Sequence, residues 1–406
     1  MPSDSVPTRL PAMRPVNATP FHSDGGQLFF ALHDYSGIAA GPLAVTAAGY
    51  FVLAHLDGNR THADVRAAVK RQFDAEISHE QIDALIESLD DALLLHTERY
   101  ENAYALREQQ YRRAAARDNR ARWPVEHALR SEILSLIAEG VATPVGDLRG
   151  FIAPHLDYAR GRPCYADAYA TLIAASPADR YVILGTNHYG RCRSVVATGK
   201  DFLTPLGLVA TDLAFIEQLE ARLGQSIRRH EMDHAAEHSI ELQTHLLQTA
   251  QPHRKFSVVP VLCPDPTGPS GAAPRDGIGP DLLDFADALA ELIDNSAGRT
   301  VVIASADLSH VGTHFGDAAR VTPECMIELE ASDRRLLDLC ALRREDEFVA
   351  AVRANDNETG ICSIGCIYAM LRALPGMKCR ITRYHQATNY PADTHVTCAA
   401  GIVFRE

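Results

Sequence analysis

The chain has 406 residues, 46% hydrophobic and 22% charged, with a formal net charge of −13 and a mean hydropathy of −0.12. That length allows two or three domains with buried cores. It holds no run of the roughly 18–20 apolar residues that a membrane span needs, and so acidic a chain is a poor default partner for nucleic acid.

The nine cysteines all lie at or after Cys164 and show no framework spacing, so reduced thiols in a cytoplasmic protein are expected. Residues 1–22 are Pro-rich without an apolar signal core, and are expected to be extended or frayed rather than a secretion signal. From Gln27 to Thr97 the pattern predicts a small α+β unit. Leu28–Leu32 is strand-like, and Gly41–Leu53 holds a second strand running into a helix. Thr61 with Asp64 predicts an N-cap for a helix burying Val65, Val69 and Phe73. Ser78 with Gln81 is a capping-box pattern for a helix whose face carries Ile82, Leu85, Ile86, Leu89 and Leu93.

Such an arrangement is winged-helix-like, which raises DNA binding. Residues 1–100 contain seven basic and thirteen acidic residues, against the excess of cations that phosphate neutralisation requires. Ala48-Gly-Tyr-Phe-Val-Leu-Ala-His-Leu-Asp-Gly-Asn-Arg-Thr61 and the helix pair ending at Leu95 resemble the PqqD-like fold. That resemblance implies a recognition module for a peptide ligand; an accessory domain that only packs on its neighbour is the other reading. Glu101–Arg122 is Arg- and Ala-rich and reads as a solvated helix that Trp123-Pro124 interrupts. The expected organisation is a domain over residues 1–100, a helical linker over 101–125 and a main domain over 126–406.

From Gly150 onward apolar strand-like runs alternate with helical stretches, predicting an α/β fold of αβα layers. Three runs stop at metal-capable side chains. Phe151–Ala153 leads into His155, Asp157 and Tyr158; Tyr181–Gly185 into Asn187 and His188; Val301–Ser305 into Asp307 and His310. Ligands in open α/β sheets bind beyond the carboxyl ends of strands, so these residues are expected to wall one site. Further strands are expected at Phe256–Leu262, Cys379–Tyr384 and His395–Phe404, with a surface loop over Pro264–Pro280.

His230-Glu-Met-Asp-His234 matches the zincin pattern H-E-x-x-H, but the polar approach Gly224–Arg229 makes a poor core-facing helix. His238 and Glu241 share one helix face, as a buried hydrogen-bonding pair or as substrate-side acid and base. Cys362 and Cys366 form C-x-x-x-C without a further cysteine pair for zinc. Cys362 is expected at a helix start and Cys366 in the core. Two imidazoles and one anionic ligand suit iron or copper, and zinc also.

The motifs Ile152-Ala-Pro-His-Leu-Asp-Tyr158, Ile183-Leu-Gly-Thr-Asn-His188, Thr204-Pro-Leu-Gly207 with Asp212, Glu237-His-Ser-Ile-Glu241, Ser305-Ala-Asp-Leu-Ser-His310 and Gly360-Ile-Cys362 resemble the Memo family. That family is known in prokaryotes as AmmeMemoRadiSam system protein B and is related to the catalytic subunits of class III extradiol dioxygenases. The resemblance implies His155, His188 and Cys362 as metal ligands, and Asp307 and His310 as the pocket pair, with Asp307 orienting His310 as base. His238 and Glu241 match the remaining pocket motif. It also implies dioxygenase-like redox chemistry and, as partners, a radical-SAM enzyme and an AMMECR-type protein. The chain departs from the family pattern at Leu156-Asp157, expected to add a carboxylate beside the pocket, and at Ser363 after Cys362. It also lacks the family's A-G-x-x-Y-P opening. A non-catalytic binding protein with a relic pocket, and a zinc hydrolase through His230 and His234, are the alternatives.

Overall fold

The computed structural model describes residues 8–39, 41–274 and 276–406. It divides into two units, residues 1–114 and 115–406.

In the first unit β1 (Asn17–His22), β2 (Leu28–His33) and β3 (Leu43–Thr46) form an antiparallel sheet in the order β1-β2-β3. Four helices follow: α1 (Ala47–Leu53), α2 (His62–Phe73), α3 (His79–Asp91) and α4 (Glu98–Arg113). Both expected caps are formed, Thr61 with Asp64 and Ser78 with Gln81, each as a reciprocal capping box. Helix α2 buries Val65, Ala68 and Val69; Phe73 is exposed and meets Phe51 edge-on. Of the segment 1–22 expected to be extended or frayed, residues 1–7 lie outside the described residues, and from residue 8 on it is extended but not frayed. Arg9, Ala12 and Met13 bridge to Thr61, Asp57 and Leu95. Arg14 is buried in an ion pair with Asp34 and lies 3.9 Å from the centre of the Tyr100 ring. A buried pair with further hydrogen-bond partners resists fraying, because removing either partner strands a charge.

The expected linker is not one element. Helix α4 ends at Arg113, and β4 (Ala116–Asp118) pairs with a strand of the second unit. A 3-10 turn at Arg120–Arg122 follows. In chain order the second unit continues with α5 (Glu126–Ala138), β5 (Asp147–Ala153), α6 (Arg162–Ala174), β6 (Arg180–Thr186), β7 (Val196–Ala197), β8 (Asp201–Thr204), β9 (Gly207–Thr211) and α7 (Leu213–Leu223). Then come α8 (Ser239–Ala250), β10 (Ser257–Cys263), α9 (Leu282–Asn295), β11 (Thr300–Ser305), β12 (Asp307–Val311), α10 (Pro323–Ala341), α11 (Glu345–Arg353), α12 (Ile364–Ala373), β13 (Lys378–Asn389) and β14 (Thr394–Arg405).

One sheet joins these strands in the order β12-β14-β5-β11-β6-β10-β9-β8-β4, with β13 on β14 and β7 on β10. Its centre, β5-β11-β6-β10, is parallel, and β14 closes antiparallel on β5. Alternation along each central strand feeds two cores. Ile152, Val182, Leu184, Val302 and Ala304 pack with α7, α9, α11 and α12. Phe151, Tyr181, Ile183, Val301 and Ile303 pack with α5, α6 and α8. The second unit is therefore an αβα layered α/β domain, since a parallel sheet must be covered on both faces. Among the described residues no helix is long and apolar enough to cross a membrane.

Ile183 is fully buried at the middle of β6. Replacing it by Ala should cost about 2–4 kcal/mol in denaturant unfolding. A loss below about 1 kcal/mol would mean that this layer does not form the closed core described.

Candidate metal centre

The parallel strands all end on one side, so β5, β6 and β11 deliver their next residues to one place. His155 follows Pro154, which ends the β5 run. Its ring Nδ1–H donates to the Ser305 carbonyl at 3.0 Å, which turns Nε2 toward Cys362 Sγ at 3.4 Å and Asp307 Oδ2 at 3.5 Å. The Asp307 carboxylate also accepts the His155 backbone N–H at 3.0 Å. Cys362 lies just before Ser363, the residue preceding α12. The Ser363 hydroxyl accepts the Asp307 N–H at 3.1 Å.

His188 follows β6. Its backbone N–H donates to Glu237 Oε2 at 2.9 Å and its Nδ1 lies 3.1 Å from Oε1. The Glu237 carboxylate, 1% exposed, also accepts the backbone N–H groups of His238 and Ser239, at 2.8 and 2.9 Å. These are the orphan donors at the start of α8. Gly185 lets α8 come this close: a Cβ there would meet Ser239 Oγ at 2.5 Å. The Ser239 hydroxyl in turn accepts from Thr186 N and donates to its carbonyl. Gln243 on α8 donates to the Pro154 carbonyl at 2.7 Å and to Ser305 Oγ at 2.9 Å. One helix thus ties together the ends of β5, β6 and β11.

The ligating atoms of His155, His188 and Cys362 lie within 4.8 Å of one another. The 3.4 Å separation between His155 Nε2 and Cys362 Sγ matches the ~3.5 Å edge of a tetrahedron with metal–sulfur ~2.3 Å and metal–nitrogen ~2.0–2.1 Å. Both imidazoles have Nδ1 engaged, leaving Nε2 free to ligate, as metal-binding histidines require. The donor set therefore fits a metal. His188, Glu237 and His238 form a second close group, but backbone N–H groups already occupy that carboxylate, so it clamps His188.

Charge follows the same geometry. Burial opposes protonation of His155, yet Asp307 and the Cys362 sulfur raise its pKa to about 9. Burial also opposes a charged His188, and Glu237 outweighs it. Burial would raise the Cys362 thiol, but the imidazoles of His155 and His188, with His310 nearby, hold it well below its usual range. His238 goes the other way: burial and the neighbouring His188 and His155 charges depress it, although Glu237 opposes them. It stacks on His188 at 5.1 Å.

Other expected site residues take partners different from those expected. Glu241 faces away from acid–base duty: its Oε2 takes Arg117 at 3.0 Å, both side chains being almost fully buried. His310 is oriented by backbone rather than by Asp307. Its ring Nδ1 lies 3.1 Å from the Leu308 carbonyl and its backbone N–H donates to the Thr359 carbonyl at 2.7 Å. Asp157 is exposed and pairs with Arg160 at 2.5 Å, adding no carboxylate to the pocket. Leu156 is buried, and the Tyr158 hydroxyl turns inward to the Leu242 carbonyl.

The zincin reading is overturned. Glu231–His234 is a single 3-10 turn, and its side chains hold the segment after His188. Glu231 accepts from Thr198, Asp233 accepts from Asn187, Arg191 and Cys192, and His234 Nε2 bonds the Val196 carbonyl at 2.9 Å. Burial holds the pKa of His234 down to about 3.

Two residues escaped the sequence reading as site parts. Glu237 had a signal, its place beside His238. Arg117 had none inside an Arg-rich run. It donates to the His234 and Glu237 carbonyls and to Glu241. Arg117→Ala leaves the buried Glu241 carboxylate without its cation and with only the long 3.5 Å bond from Asn119 Nδ2, which should cost about 3–5 kcal/mol in denaturant unfolding; a cost under about 1 kcal/mol would mean that Glu241 does not depend on the arginine.

A family model described as "Memo-like protein" matches residues 125–402. A MEMO1 family protein of Aquifex aeolicus is 26% identical over 383 residues, covering 92% of this chain and 96% of its own length. MEMO1 family proteins of Methanosarcina mazei and Methanococcoides burtonii are 30% and 31% identical over 259 and 281 residues, covering 63% and 68% of this chain and 85% and 94% of theirs. The chain, with its second unit spanned by the family match, belongs to the Memo-like family.

Proposed function

We propose that the protein is a metal-dependent redox protein, with iron or copper held by His155, His188 and Cys362 and an oxidase- or dioxygenase-like activity. The observation that carries this reading is the convergence of two imidazole Nε2 atoms and one thiolate, each oriented by its own buried partner. A redox-active ion there would supply electron exchange between a substrate and an oxidant such as dioxygen. Zinc also suits the ligands, but offers no redox chemistry.

The chain's own residues do the rest. A hollow of about 150 Å³ borders Cys362, Thr186 and Asn187 and receives a small substrate or one side chain of a peptide. His238, kept neutral, has Nδ1 3.3 Å from Glu237 and is partly open to solvent, so Nε2 can take a proton. His310, whose Nδ1 lies against the Leu308 carbonyl, presents its other nitrogen as a second proton carrier. An imidazole held neutral beside the ligand set is placed to accept a proton from a bound substrate.

The first unit and its short helix pair support a peptide-recognition role, in company with a radical-SAM enzyme and an AMMECR-type protein in the cytoplasm. The A. aeolicus relative aligns over 92% of this chain, so that similarity reaches into the first unit.

Metal analysis of anaerobically purified protein tests the centre. Cys362→Ser and His188→Ala should each lose the bound iron or copper, and wild-type metal content in either variant sinks the proposal. Glu237→Gln should keep the three ligands yet bind metal about 10–100-fold more weakly. For the first unit, calorimetry with peptides from the radical-SAM partner's substrates should show binding that vanishes when residues 1–114 are removed. Binding that survives the truncation counts against recognition by that unit.

A further inference from the structure

A second hollow lies at the other end of the same strands. It measures about 370 Å³ and is bordered by Arg130 of α5, Leu208 of β9, and Gln251, Arg254, Lys255 and Phe256 between α8 and β10. Cys263, beside the metal centre, is at the far end of β10. At ~3.3 Å per residue the strand places the two hollows roughly 20 Å apart.

Three features set this hollow apart. Its lining carries three cations and no acidic side chain, in a chain whose net charge is −13. Arg130 has a carboxylate partner, Glu126 at 3.1 Å, but Glu126 does not line the hollow. Offsetting the carbonyl end of α8 accounts for one cation there, not for three around a cavity.

Second, Gln251 is 8% exposed and only half satisfied. Its Nε2 donates to the Tyr181 hydroxyl at 2.6 Å, and its Oε1 is buried without a partner. Exchanging the two amide atoms would move the orphan from acceptor to donor without removing it. Buried polar atoms are normally bonded, so Gln251, which borders the hollow, keeps an acceptor that the chain leaves unmatched. Third, Leu208 and Phe256 give the hollow an apolar wall; Leu208 is 58% exposed.

We propose that this hollow binds a small organic phosphate. The phosphate lies among Arg254, Lys255 and Arg130, where charge-assisted hydrogen bonds to its oxygens are strong. The organic body lies against Leu208 and Phe256, with Gln251 at the border of the hollow. The volume suits a molecule of mononucleotide size. The site is separate from the metal centre and does not depend on that centre's chemistry.

Isothermal titration calorimetry of the full-length, metal-loaded protein tests it, with adenosine monophosphate and inorganic phosphate as separate probes. The nucleotide should bind at one site, weaken as salt is raised, and bind more tightly than inorganic phosphate. Arg254→Ala with Lys255→Ala, both surface cations, should weaken it at least ~10-fold. Leu208→Ser should weaken the nucleotide while leaving inorganic phosphate unchanged. Cys362→Ser, which empties the metal centre on the reading above, should leave nucleotide binding intact. No heat from either probe, unchanged affinity in the double variant, or binding lost with Cys362→Ser would each overturn the proposal. Equal affinity for the two probes would overturn the organic-ligand assignment.

Discussion

The buried carboxylate of Glu237 is the contact on which the candidate metal centre depends. A charge so far from water is tolerable only when its oxygens are fully bonded. Here the bonds come from the backbone N–H groups of His188, His238 and Ser239 and from the His188 ring. One side chain therefore sets three things at once: the start of α8, the distance between α8 and β6, and the direction in which His188 presents Nε2. Arg117 supports it from behind by taking the Glu237 carbonyl and pairing with Glu241. Glu241 is thus structural, one helical turn from a histidine that faces the pocket.

The histidines show how position within a few ångströms separates roles. His155 and His188 each meet a carboxylate and the Cys362 sulfur, and are pushed up. At His234 and His245 burial outweighs the nearby Glu237 and Glu241 carboxylates, and both are pushed down. His238 touches Glu237 as His188 does, yet burial and the charges of its two neighbours leave it neutral. Residue type alone assigns the same chemistry to all five; the environment divides them into imidazoles that hold a proton and imidazoles that do not.

Much of the second unit was readable from local pattern. Apolar runs that end abruptly at His155, His188 and Asp307 announce parallel strands, because a strand covered on both faces has no polar alternation until it leaves the sheet. The capping boxes at Thr61 and Ser78 were equally legible, since they are closed within four residues. What failed shared one feature, a partner distant in sequence. Arg14 is held by Asp34 and Tyr100, and β4 is a strand only because β8 is beside it. His230-Glu-Met-Asp-His234 has zincin spacing but lacks a helix. Its side chains are drawn into bonds with residues 187–199 that no five-residue pattern encodes.

The amino-acid sequence by itself determined the layered α/β architecture, the strand ends that carry His155 and His188, and the family to which the chain is similar. These are local or repeated features, set by hydrophobic period and by motif order. Only the tertiary structure decided which carboxylate serves the centre, Glu237 rather than Glu241, and that Asp157 faces solvent beside Arg160. Adjacent residues on one motif point to different sides, and the side each takes depends on the packing of α8 against β6 and on an arginine 124 residues away. That choice is made by burial and by hydrogen-bond satisfaction, which exist only once the chain has closed on itself.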